Sequence, residues 1–379
     1  MSNVKIVAFY LPQFYEFPEN NEWWGEGFTE WTNVKKSKPL FEGHYQPTVP
    51  LNKNYYYLDN DETIKWQIGL AKKFGVYGFC FYHYWFGNKK MLMEKPVERY
   101  LENKEFDFPF CMCWANHNWT RTWVGGDKEI LMEVQYGDKK DWKEHFEYLL
   151  PYFSDFRYIR IDGKPVLVIY QPELIPNYDE MRKYINELAK ENGLGGITFI
   201  SQAPNCAWAG GMDGIDYCIQ YEPDYSCNSL TKVLKSALRC NAYHFIFDKI
   251  QYRIKWKIKQ LTNSRLCKVV LYDYDAVWEF ILKREVKNKK MIAGAFVKCD
   301  VTPRRQDRAI IYNNFSVDKF EKYMQLLVEK VEKEFYQQYI FIMAWNEWGE
   351  GAYLEPDEKY GYGCLQAIRN VMDREEGTN

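Results

Sequence analysis

Several features by which protein classes are recognised are missing from this sequence. No run of about 18 apolar residues occurs, so we expect no membrane-spanning helix. The apolar run from Val4 to Leu11 is too short for a signal peptide. The ten cysteines include no Cys-x-x-Cys pair, which argues against a structural zinc site. The formal net charge of −2 gives no general attraction to nucleic acid. We therefore expect a reduced, soluble, cytoplasmic protein that binds no nucleic acid.

Aromatic residues, by contrast, are abundant. They make up 18% of the chain, with 31 tyrosines, 24 phenylalanines and 14 tryptophans, and hydrophobic residues of all kinds make up 46%. A large core explains part of this content. The excess of tyrosine and tryptophan is typical of a sugar-binding cleft, because these side chains present an apolar face and a polar tip.

Short apolar runs alternate with amphipathic segments almost to the end of the chain. Four segments have a helical pattern: 63–74, 141–153, 179–192 and 317–336. Eight runs have the length of buried strands: 5–10, 77–82, 110–114, 165–170, 197–201, 216–220, 291–297 and 339–344. Strands that alternate with helices predict a parallel sheet, and eight such units close naturally into a barrel. We predict an α/β protein, a (β/α)8 TIM barrel with long βα loops, as a single domain over residues 1–379.

The most informative stretch is residues 340–356, where an apolar run leads directly into two carboxylates, Glu347 and Glu350. A spacing of three residues on one turn brings the two side chains to roughly 5–6 Å at Cβ. Two carboxylates at about that separation cleave a glycosidic bond with retention. Trp345 and Trp348 offer flat faces for a sugar ring, and Asn346 can bind hydroxyls. These residues predict a carbohydrate-active site, and the alternative is a solvated acidic turn.

Polar and aromatic side chains also follow the other predicted strands. Because the active site of a TIM barrel forms at the C-terminal ends of its strands, we take these side chains as candidate substrate-binding residues. They are Tyr10, Gln13, Trp31, Tyr82, His83, Trp85, Trp114, Asn116, His117, Tyr170, Glu222 and Asp300.

Structural roles stay open for several of these candidates. Either histidine could belong to the framework, and neither has a third ligand spaced nearby for a metal. Three tryptophans of the first loop, Trp23, Trp24 and Trp31, could simply cover the barrel mouth. The two acidic residues, Glu222 and Asp300, could form salt bridges with Arg304 or Lys298. We predict no metal and no cofactor.

One stretch, Ser226–Lys268, is strongly basic, with ten Lys or Arg residues against one acidic residue, Asp248. It forms an insert between the sixth and seventh predicted strands. Its pattern fits a strand and a helix equally well, so periodicity does not decide between them. A basic amphipathic helix would suit an anionic membrane surface or a lipid-linked glycan. The alternative is a helix packed on the barrel with a solvated cationic face.

With these residues in view, the chain resembles the WbsX-like proteins, which are related to glycoside hydrolase family 99. The resemblance extends from Val7 to about Gly363. Its motifs are Phe9-Tyr-Leu-Pro-Gln13, Gly27-Phe-Thr-Glu-Trp31, Tyr82-His-Tyr-Trp85, Trp114-Ala-Asn116, Gly163-Lys-Pro165, Tyr170-Gln-Pro172 and Trp345-Asn-Glu-Trp-Gly-Glu-Gly351. The resemblance implies a (β/α)8 barrel and, for family 99, endo-acting cleavage of α-mannosides with retention and without metal. WbsX-like proteins are associated with O-antigen or capsule assembly.

The same resemblance implies roles for the two carboxylates. Glu347 matches the base that deprotonates the sugar 2-hydroxyl to give a 1,2-anhydro intermediate, and Glu350 matches the acid that protonates the departing oxygen. The chain departs from family 99 at Gly349, where a histidine often stands, and in its N-terminal aromatic segment. These departures bear on the mannose specificity rather than on the carboxylate pair.

The sequence therefore predicts a retaining glycoside hydrolase, endo-acting on a bacterial cell-surface polysaccharide or oligosaccharide. A glycosyltransferase that uses the same carboxylates is the first alternative, although Asp273-Tyr-Asp275, which has the spacing of a metal motif, lies away from the predicted strand exits. A carbohydrate-binding protein without activity is the second. A membrane-associated assembly factor is the third, and it depends only on the basic stretch.

Overall fold

The computed structural model describes residues 2–121, 129–203, 213–227, 269–286 and 288–374. Nearly all of the basic stretch Ser226–Lys268 lies outside these residues, so the predicted membrane contact stays a prediction. Within the described ranges, no helix combines the length and the apolar character needed to cross a membrane.

Eight parallel strands form a closed barrel, as predicted. In sequence order they are β1 Lys5–Tyr10, β2 Gly78–Trp85, β3 Phe110–Trp114, β4 Lys164–Ile169, β5 Thr198–Ala203, β6 Tyr217–Gln220, β7 Met291–Phe296 and β8 Tyr339–Met343. Each strand pairs with its neighbours in sequence, and β1 closes the ring by pairing with both β2 and β8. Val7, for example, lies opposite Gly78 on one side and Phe341 on the other.

Helices lie between the strands, and the four predicted helices are confirmed to within a few residues. Among the described residues, the α-helices in sequence order are α1 Pro18–Trp24, α2 Glu30–Lys36, α3 Asp61–Lys73, α4 Lys95–Glu102, α5 Lys139–Phe153, α6 Tyr178–Glu191, α7 Asp224–Cys227, α8 Tyr274–Lys283, α9 Thr302–Arg305, α10 Val317–Glu334 and α11 Gly363–Asp373. Several begin at a side chain that accepts a backbone N–H: Asn60 caps α3, Asp138 caps α5 and Ser316 caps α10.

The two-residue period of a strand divides the side chains of β2 between two environments. Tyr82 points into the barrel, where its ring stacks on Phe9 with 5.5 Å between centroids. His83 and Trp85 point outward to α5, where both contact His145. This alternation decides which of the predicted residues reach the barrel interior.

A small two-stranded sheet, in which Val270–Asp273 pairs with Ile310–Asn313, carries the Asp-x-Asp sequence. Asp273 caps α8 by accepting the N–H of Ala276. Asp275 accepts hydrogen bonds from Lys319 and Tyr323, both at 2.7 Å. Both carboxylates therefore have structural partners.

A buried ion pair fixes the chain before β3. The Arg157 guanidinium donates to both oxygens of Asp155, at 2.8 and 2.9 Å, and to three backbone carbonyls at 3.0–3.1 Å. Those carbonyls belong to residues 101–106, at the end of α4 and in the loop after it. The guanidinium therefore joins the loop before β3 to the segment after α5 that contains Asp155 and Arg157.

We expect Arg157→Met to lower the free energy of unfolding by about 3 kcal/mol, because it leaves three carbonyls buried without their donor and Asp155 with only Lys104 and the N–H of residue 157 as donors. The matched control is Arg369→Met, which removes an exposed pair with Asp373 and should cost less than about 1 kcal/mol. Urea unfolding of the three proteins measures both values. Equal losses in the two variants would contradict the assignment.

Candidate active site

The two predicted carboxylates lie on a tight turn at the C-terminal end of β8. Asn346–Glu347 pairs with Ala352–Tyr353 in a short antiparallel ladder, and Trp348–Glu350 between them forms one turn of 3-10 helix. The turn ends at Gly351, which has φ of 59°. A Cβ there would lie 2.9 Å from the carbonyl oxygen of Asp300, so glycine is required for space and for conformation.

The tryptophans of this motif anchor the turn from behind. Trp348 is fully buried; its ring stacks on Tyr353 at 3.6 Å between centroids, and its Nε1 donates to Glu355 at 2.7 Å. Trp345 is also fully buried and packs on Phe79. The prediction that these two rings stack on a sugar is therefore wrong, because neither face is accessible.

Asn346 has a structural contact as well. Its side chain accepts the N–H of Leu11 at 2.8 Å and donates to the carbonyl of Leu11 at 3.0 Å. This double hydrogen bond joins the chain after β8 to the chain after β1. Asn346 is buried and does not face the cleft, so its predicted role in binding hydroxyls is wrong.

Arg304, in α9, brings the two carboxylates together. Its Nη2 donates to Glu347 at 3.0 Å and its Nη1 to Glu350 at 2.5 Å. Its Nε donates to a third carboxylate, that of Glu30 at the start of α2, at 2.8 Å. Arg304, Glu30 and Glu347 are all buried. We call these four residues the carboxylate cluster.

The environment of the cluster shifts the pKa of Glu347. Burial raises it, the Arg304 guanidinium lowers it, and the charges of Glu350 and Glu30 raise it again, with the net result that it reaches about 8. A carboxyl group with this pKa is a stronger base than an ordinary glutamate once it is ionised.

The cluster lies at one wall of a cleft of about 330 Å³ at the C-terminal end of the barrel. Three of the predicted substrate-binding residues, Tyr82, His117 and Tyr170, line this cleft. The other described side chains that line it are Tyr84, Ala115, Tyr221, Asp224, Val301, Arg304, Arg305, Glu347 and Glu350. The hydroxyls of Tyr82 and Tyr221 lie 3.2 Å apart.

Asp224 adds a further carboxyl group to the cleft, where it meets solvent. Partial desolvation within the cleft, and then the charges of Glu350 and Glu222, raise its pKa. Burial also lowers the pKa of His117 to about 4, so its imidazole is neutral at pH 7. The cleft therefore combines acidic groups with a neutral histidine and tyrosine hydroxyls.

A smaller chamber of about 30 Å³ lies on the other side of Glu347 and Arg304. Gln13, a predicted residue, lines it. The other described side chains around it are Leu11, Trp24, Phe28, Glu30, Asn33, Tyr84 and Trp119. Trp24 of the first loop therefore faces the site, whereas Trp23 packs toward Trp119.

Several predicted aromatic residues lie outside the cleft. His83 and His145 share a hydrogen bond of 2.9 Å between barrel and α5, and burial lowers the pKa of His83 to about 3. Trp85 and Trp114 pack on the same helix through His145. Their predicted roles in substrate binding are wrong, because these side chains have the outward orientation on β2 and β3.

Two further aromatic predictions are corrected by packing. The Tyr10 hydroxyl donates to Gln67 of α3 at 2.6 Å, on the outer side of β1. Trp31 is buried, its Nε1 donates to the carbonyl of Tyr56 at 2.7 Å, and its ring contacts Trp348. Both side chains support the loops around the site without reaching the cleft.

The remaining polar predictions are corrected by hydrogen bonds. Asn116 joins two loops by donating to the carbonyl of Gln171 and accepting its N–H. Glu222 is buried and pairs with Arg284 at 2.7 Å, rather than with Arg304 or Lys298. Asp300 pairs with His44 at 2.7 Å and accepts the N–H of Thr302, which fixes the start of α9.

The sequence analysis missed several residues of the site. Tyr84 follows Tyr82 by two residues on the same face of β2, so strand alternation would have identified it. Tyr221 follows β6 directly, at the kind of strand end from which the other candidates were chosen. Arg304 and Glu30 are separated by 274 residues, and no local pattern links them.

Across the described ranges, no three His, Cys, Asp or Glu side chains are grouped so that they could hold a metal ion. The described residues form a site of carboxylates, one arginine and tyrosines at the carboxyl ends of the strands of a (β/α)8 barrel.

The chain belongs to the WbsX family: the family model described as "Glycosyltransferase WbsX" matches residues 6–368. Its relatives include two proteins of Xanthomonas campestris pv. campestris, from strains B100 and ATCC 33913, each named "Uncharacterized protein WxcX". Each is 30% identical over 378 residues, which cover 97% of this chain and 50% of the relative. The chain thus spans about half the length of the curated relatives it matches.

Solved structures share the fold. A glycoside hydrolase-like protein superposes with a TM-score of 0.58 at 14% identity, covering 99% of this chain and 95% of the other. The GH99 endo-α-mannosidase from Bacteroides thetaiotaomicron superposes with a TM-score of 0.54 at 14% identity, covering 98% of both chains. The predicted relation to the WbsX-like proteins and the predicted barrel are both confirmed.

The raised pKa of Glu347 predicts that Glu347→Gln gains stability over the wild type as the pH rises. The pKa of this carboxyl has its ordinary value of 4.5 in the unfolded chain and is about 8 in the folded protein. Between these two pH values the folded protein keeps a proton that the unfolded chain releases. The favourable contribution of this proton to the stability of the wild type is therefore complete below about pH 4.5 and is lost by about pH 8. Glutamine does not titrate. We expect the difference in free energy of unfolding to move in favour of the variant by on the order of 3 kcal/mol between pH 5 and pH 8.

Urea unfolding at the two pH values measures this difference, and Glu62→Gln at the exposed start of α3 is the control. The control should keep a constant difference from the wild type. A constant difference for Glu347→Gln as well would contradict the raised pKa.

Proposed function

We propose that this protein is a retaining glycoside hydrolase, endo-acting on a bacterial cell-surface polysaccharide. The observation that carries the proposal is the pair Glu347 and Glu350, held by one guanidinium at the wall of an open cleft. Support also comes from the fold shared with the GH99 endo-α-mannosidase from Bacteroides thetaiotaomicron and from the bacterial relatives of the chain.

In the proposed reaction, Glu347 takes the proton of the sugar 2-hydroxyl while that oxygen attacks the anomeric carbon. Glu350 gives a proton to the glycosidic oxygen as the bond to the anomeric carbon breaks, which yields a 1,2-anhydro sugar. In the second step Glu350 takes a proton from water, the water oxygen attacks the anomeric carbon, and Glu347 returns its proton to the 2-oxygen. Two inversions give net retention.

Opposite protonation states are required of the two carboxyls at the start of this sequence. A common environment of like charges favours such an arrangement, because two close carboxylates do not both ionise cheaply. The raised pKa of Glu347 strengthens it as a base, at the expense of the fraction of enzyme in which it is ionised at neutral pH.

The larger cleft suits a sugar chain. Tyrosine hydroxyls, His117 and Asp224 line it and can hydrogen-bond sugar hydroxyls. The smaller chamber, at about 30 Å³, has room for little more than water. We therefore propose that substrate units bind along the larger cleft on both sides of the scissile bond, as an endo-acting enzyme requires.

A glycosyltransferase is the second candidate, because the matching family model carries that description. The two activities differ in the donor they need. Purified protein should be incubated with cell-surface polysaccharides and aryl glycosides, with and without sugar nucleotides, and with and without EDTA. New reducing ends without a nucleotide, unaffected by EDTA, support hydrolysis. Product that needs a sugar nucleotide and a divalent metal supports transfer, and binding without product supports a carbohydrate-binding protein.

We expect Glu347→Gln and Glu350→Gln each to lower kcat/KM by at least about 100-fold, the usual contribution of acid–base catalysis. An aryl glycoside with a good leaving group should partly restore Glu350→Gln, since that leaving group needs little protonation, and should not restore Glu347→Gln. Initial-rate kinetics on both substrate types measure this contrast. Near-native turnover by both variants would mean that the catalytic residues lie elsewhere.

The pH dependence identifies the titrating groups of the site. The proposed reaction needs Glu347 ionised and Glu350 protonated, so kcat/KM of the wild type should have two limbs, and one of them should lie near the raised pKa of Glu347, at about pH 8. Glutamine does not titrate, so that limb should be absent from the residual activity of Glu347→Gln. A limb near pH 8 that persists in this variant would mean that Glu347 does not cause it.

A further inference from the structure

The carboxylate cluster contains more than a catalytic pair requires. Arg304 uses a different nitrogen for each of three carboxylates, those of Glu30, Glu347 and Glu350, at 2.5–3.0 Å. Glu30 is buried and lines only the smaller chamber. The proposed chemistry has no step for Glu30 or for Arg304, so their presence in the cluster has another cause.

Geometry gives Arg304 a mechanical role. A guanidinium is planar and rigid, and its donors point in fixed directions. When two of those donors bind Glu347 and Glu350, the separation and orientation of these carboxylates are set by the guanidinium. The third donor, Nε, is bound by Glu30, which prevents the plane from rotating. Lysine has one charged nitrogen and could not hold the same arrangement.

Charge gives Glu30 a second role. One guanidinium faces three carboxylates, so the cluster has two more acidic groups than cations. The charge of Glu30 is among the causes that raise the pKa of Glu347, and Arg304 is the cause that lowers it. Glu30 therefore offsets part of the stabilisation that Arg304 gives to ionised Glu347.

Gly349 shows that the fold leaves room for this third carboxylate. A Cβ at position 349 would lie 1.6 Å from Oε1 of Glu30 and 2.8 Å from Nε of Arg304. The φ of Gly349 is outside the left-handed region, so conformation alone does not require glycine there. Position 349 lies between the two catalytic residues in sequence. The absence of a side chain there leaves the space that the carboxylate of Glu30 occupies.

The neighbours of Glu30 hold it firmly. It is the first residue of α2, directly after the capping residue Thr29. The next residue, Trp31, is fixed by its hydrogen bond to the carbonyl of Tyr56 and by its contact with Trp348 of the catalytic turn. The Gly27-Phe-Thr-Glu-Trp31 motif thus connects the first loop of the barrel to the turn that carries Glu347 and Glu350.

We propose that Arg304 and Glu30 are positioning residues of the glycosidase site. Arg304 fixes the two catalytic carboxylates relative to each other. Glu30 fixes Arg304 and offsets part of the stabilisation that Arg304 gives to ionised Glu347. The inference rests on the proposed function for its kinetic consequences. Its structural part, the mutual dependence of Glu30 and Gly349, does not.

The first test is the pH profile of Glu30→Gln, which keeps the shape of the side chain and removes its charge. The limb of kcat/KM that reports Glu347 should move to lower pH by roughly one unit, the lower end of what a nearby charge causes. The control is Glu19→Gln, which removes one charge from the same loop region without touching Arg304. An unshifted limb in Glu30→Gln, or an equal shift in both variants, would overturn the charge role.

The second test separates geometry from charge at position 304. Arg304→Lys keeps a cation but not the three-way arrangement, so we expect kcat to fall at least tenfold while KM changes less than threefold. A variant with native kcat would overturn the positioning role of Arg304.

The third test is a double-mutant cycle that needs no substrate. Gly349→Ala should lower the melting temperature by several degrees in the wild type, because the methyl group collides with Glu30. The same change should cost clearly less in Glu30→Ala, where only the approach of 2.8 Å to Nε of Arg304 remains. Equal losses in the two backgrounds would overturn the proposed dependence of Glu30 on Gly349.

Failure of the proposed function would leave the charge role testable. If the wild type cleaves no glycoside, the titration of Glu347 can be followed by NMR of protein labelled with carbon-13 at the glutamate carboxyls, with Glu347→Gln to assign the signal. A midpoint that moves to lower pH in Glu30→Gln supports the inference without any catalysis. An unmoved midpoint overturns it.

Discussion

The burial of one guanidinium among three carboxylates is the interaction on which the site depends. Removing charged groups from water costs several kcal/mol per ion, and only close pairing with well-formed hydrogen bonds offsets that cost. Each member of the carboxylate cluster is accordingly fixed from outside. Trp348 and Gly351 hold the turn with Glu347 and Glu350, Asp300 fixes the helix that carries Arg304, and Trp31 fixes Glu30. The barrel supplies the common frame for these loops.

The fold could be predicted from the sequence because a parallel barrel strand is buried on both faces. Such a strand appears as a short continuous apolar run, and all eight predicted runs are barrel strands. The ends of the strands were predicted less exactly. β2 continues to Trp85, beyond the predicted end at Tyr82. The prediction missed these last residues because they are polar or aromatic rather than aliphatic. The motif at the end of β8 also predicted the position of both carboxylates on one turn.

The lining of the cleft was harder to predict, for two physical reasons. First, successive residues of a strand face opposite sides, so a motif such as Tyr82-His-Tyr-Trp85 sends half of its side chains away from the site. The candidates chosen from this motif accordingly included His83 and Trp85, which face away from the site, and omitted Tyr84, which lines the cleft. Second, tryptophans that flank catalytic residues can serve as anchors, as Trp345 and Trp348 do. Contacts such as Arg304 with Glu30 join residues distant in sequence and leave no local pattern.

The family description as a glycosyltransferase and the glycosidase-like barrel are compatible in chemical terms. In the proposed reaction the first step ends at an activated sugar, and the second begins when an oxygen nucleophile loses a proton to Glu350 and attacks the anomeric carbon. Water gives hydrolysis, whereas a sugar hydroxyl in the same position gives transfer to that sugar. The carboxylate pair and Arg304 would serve both outcomes unchanged. The difference would then lie in which nucleophile the open cleft admits beside Glu350, and so in the tyrosines, Asp224 and Arg305 that line it.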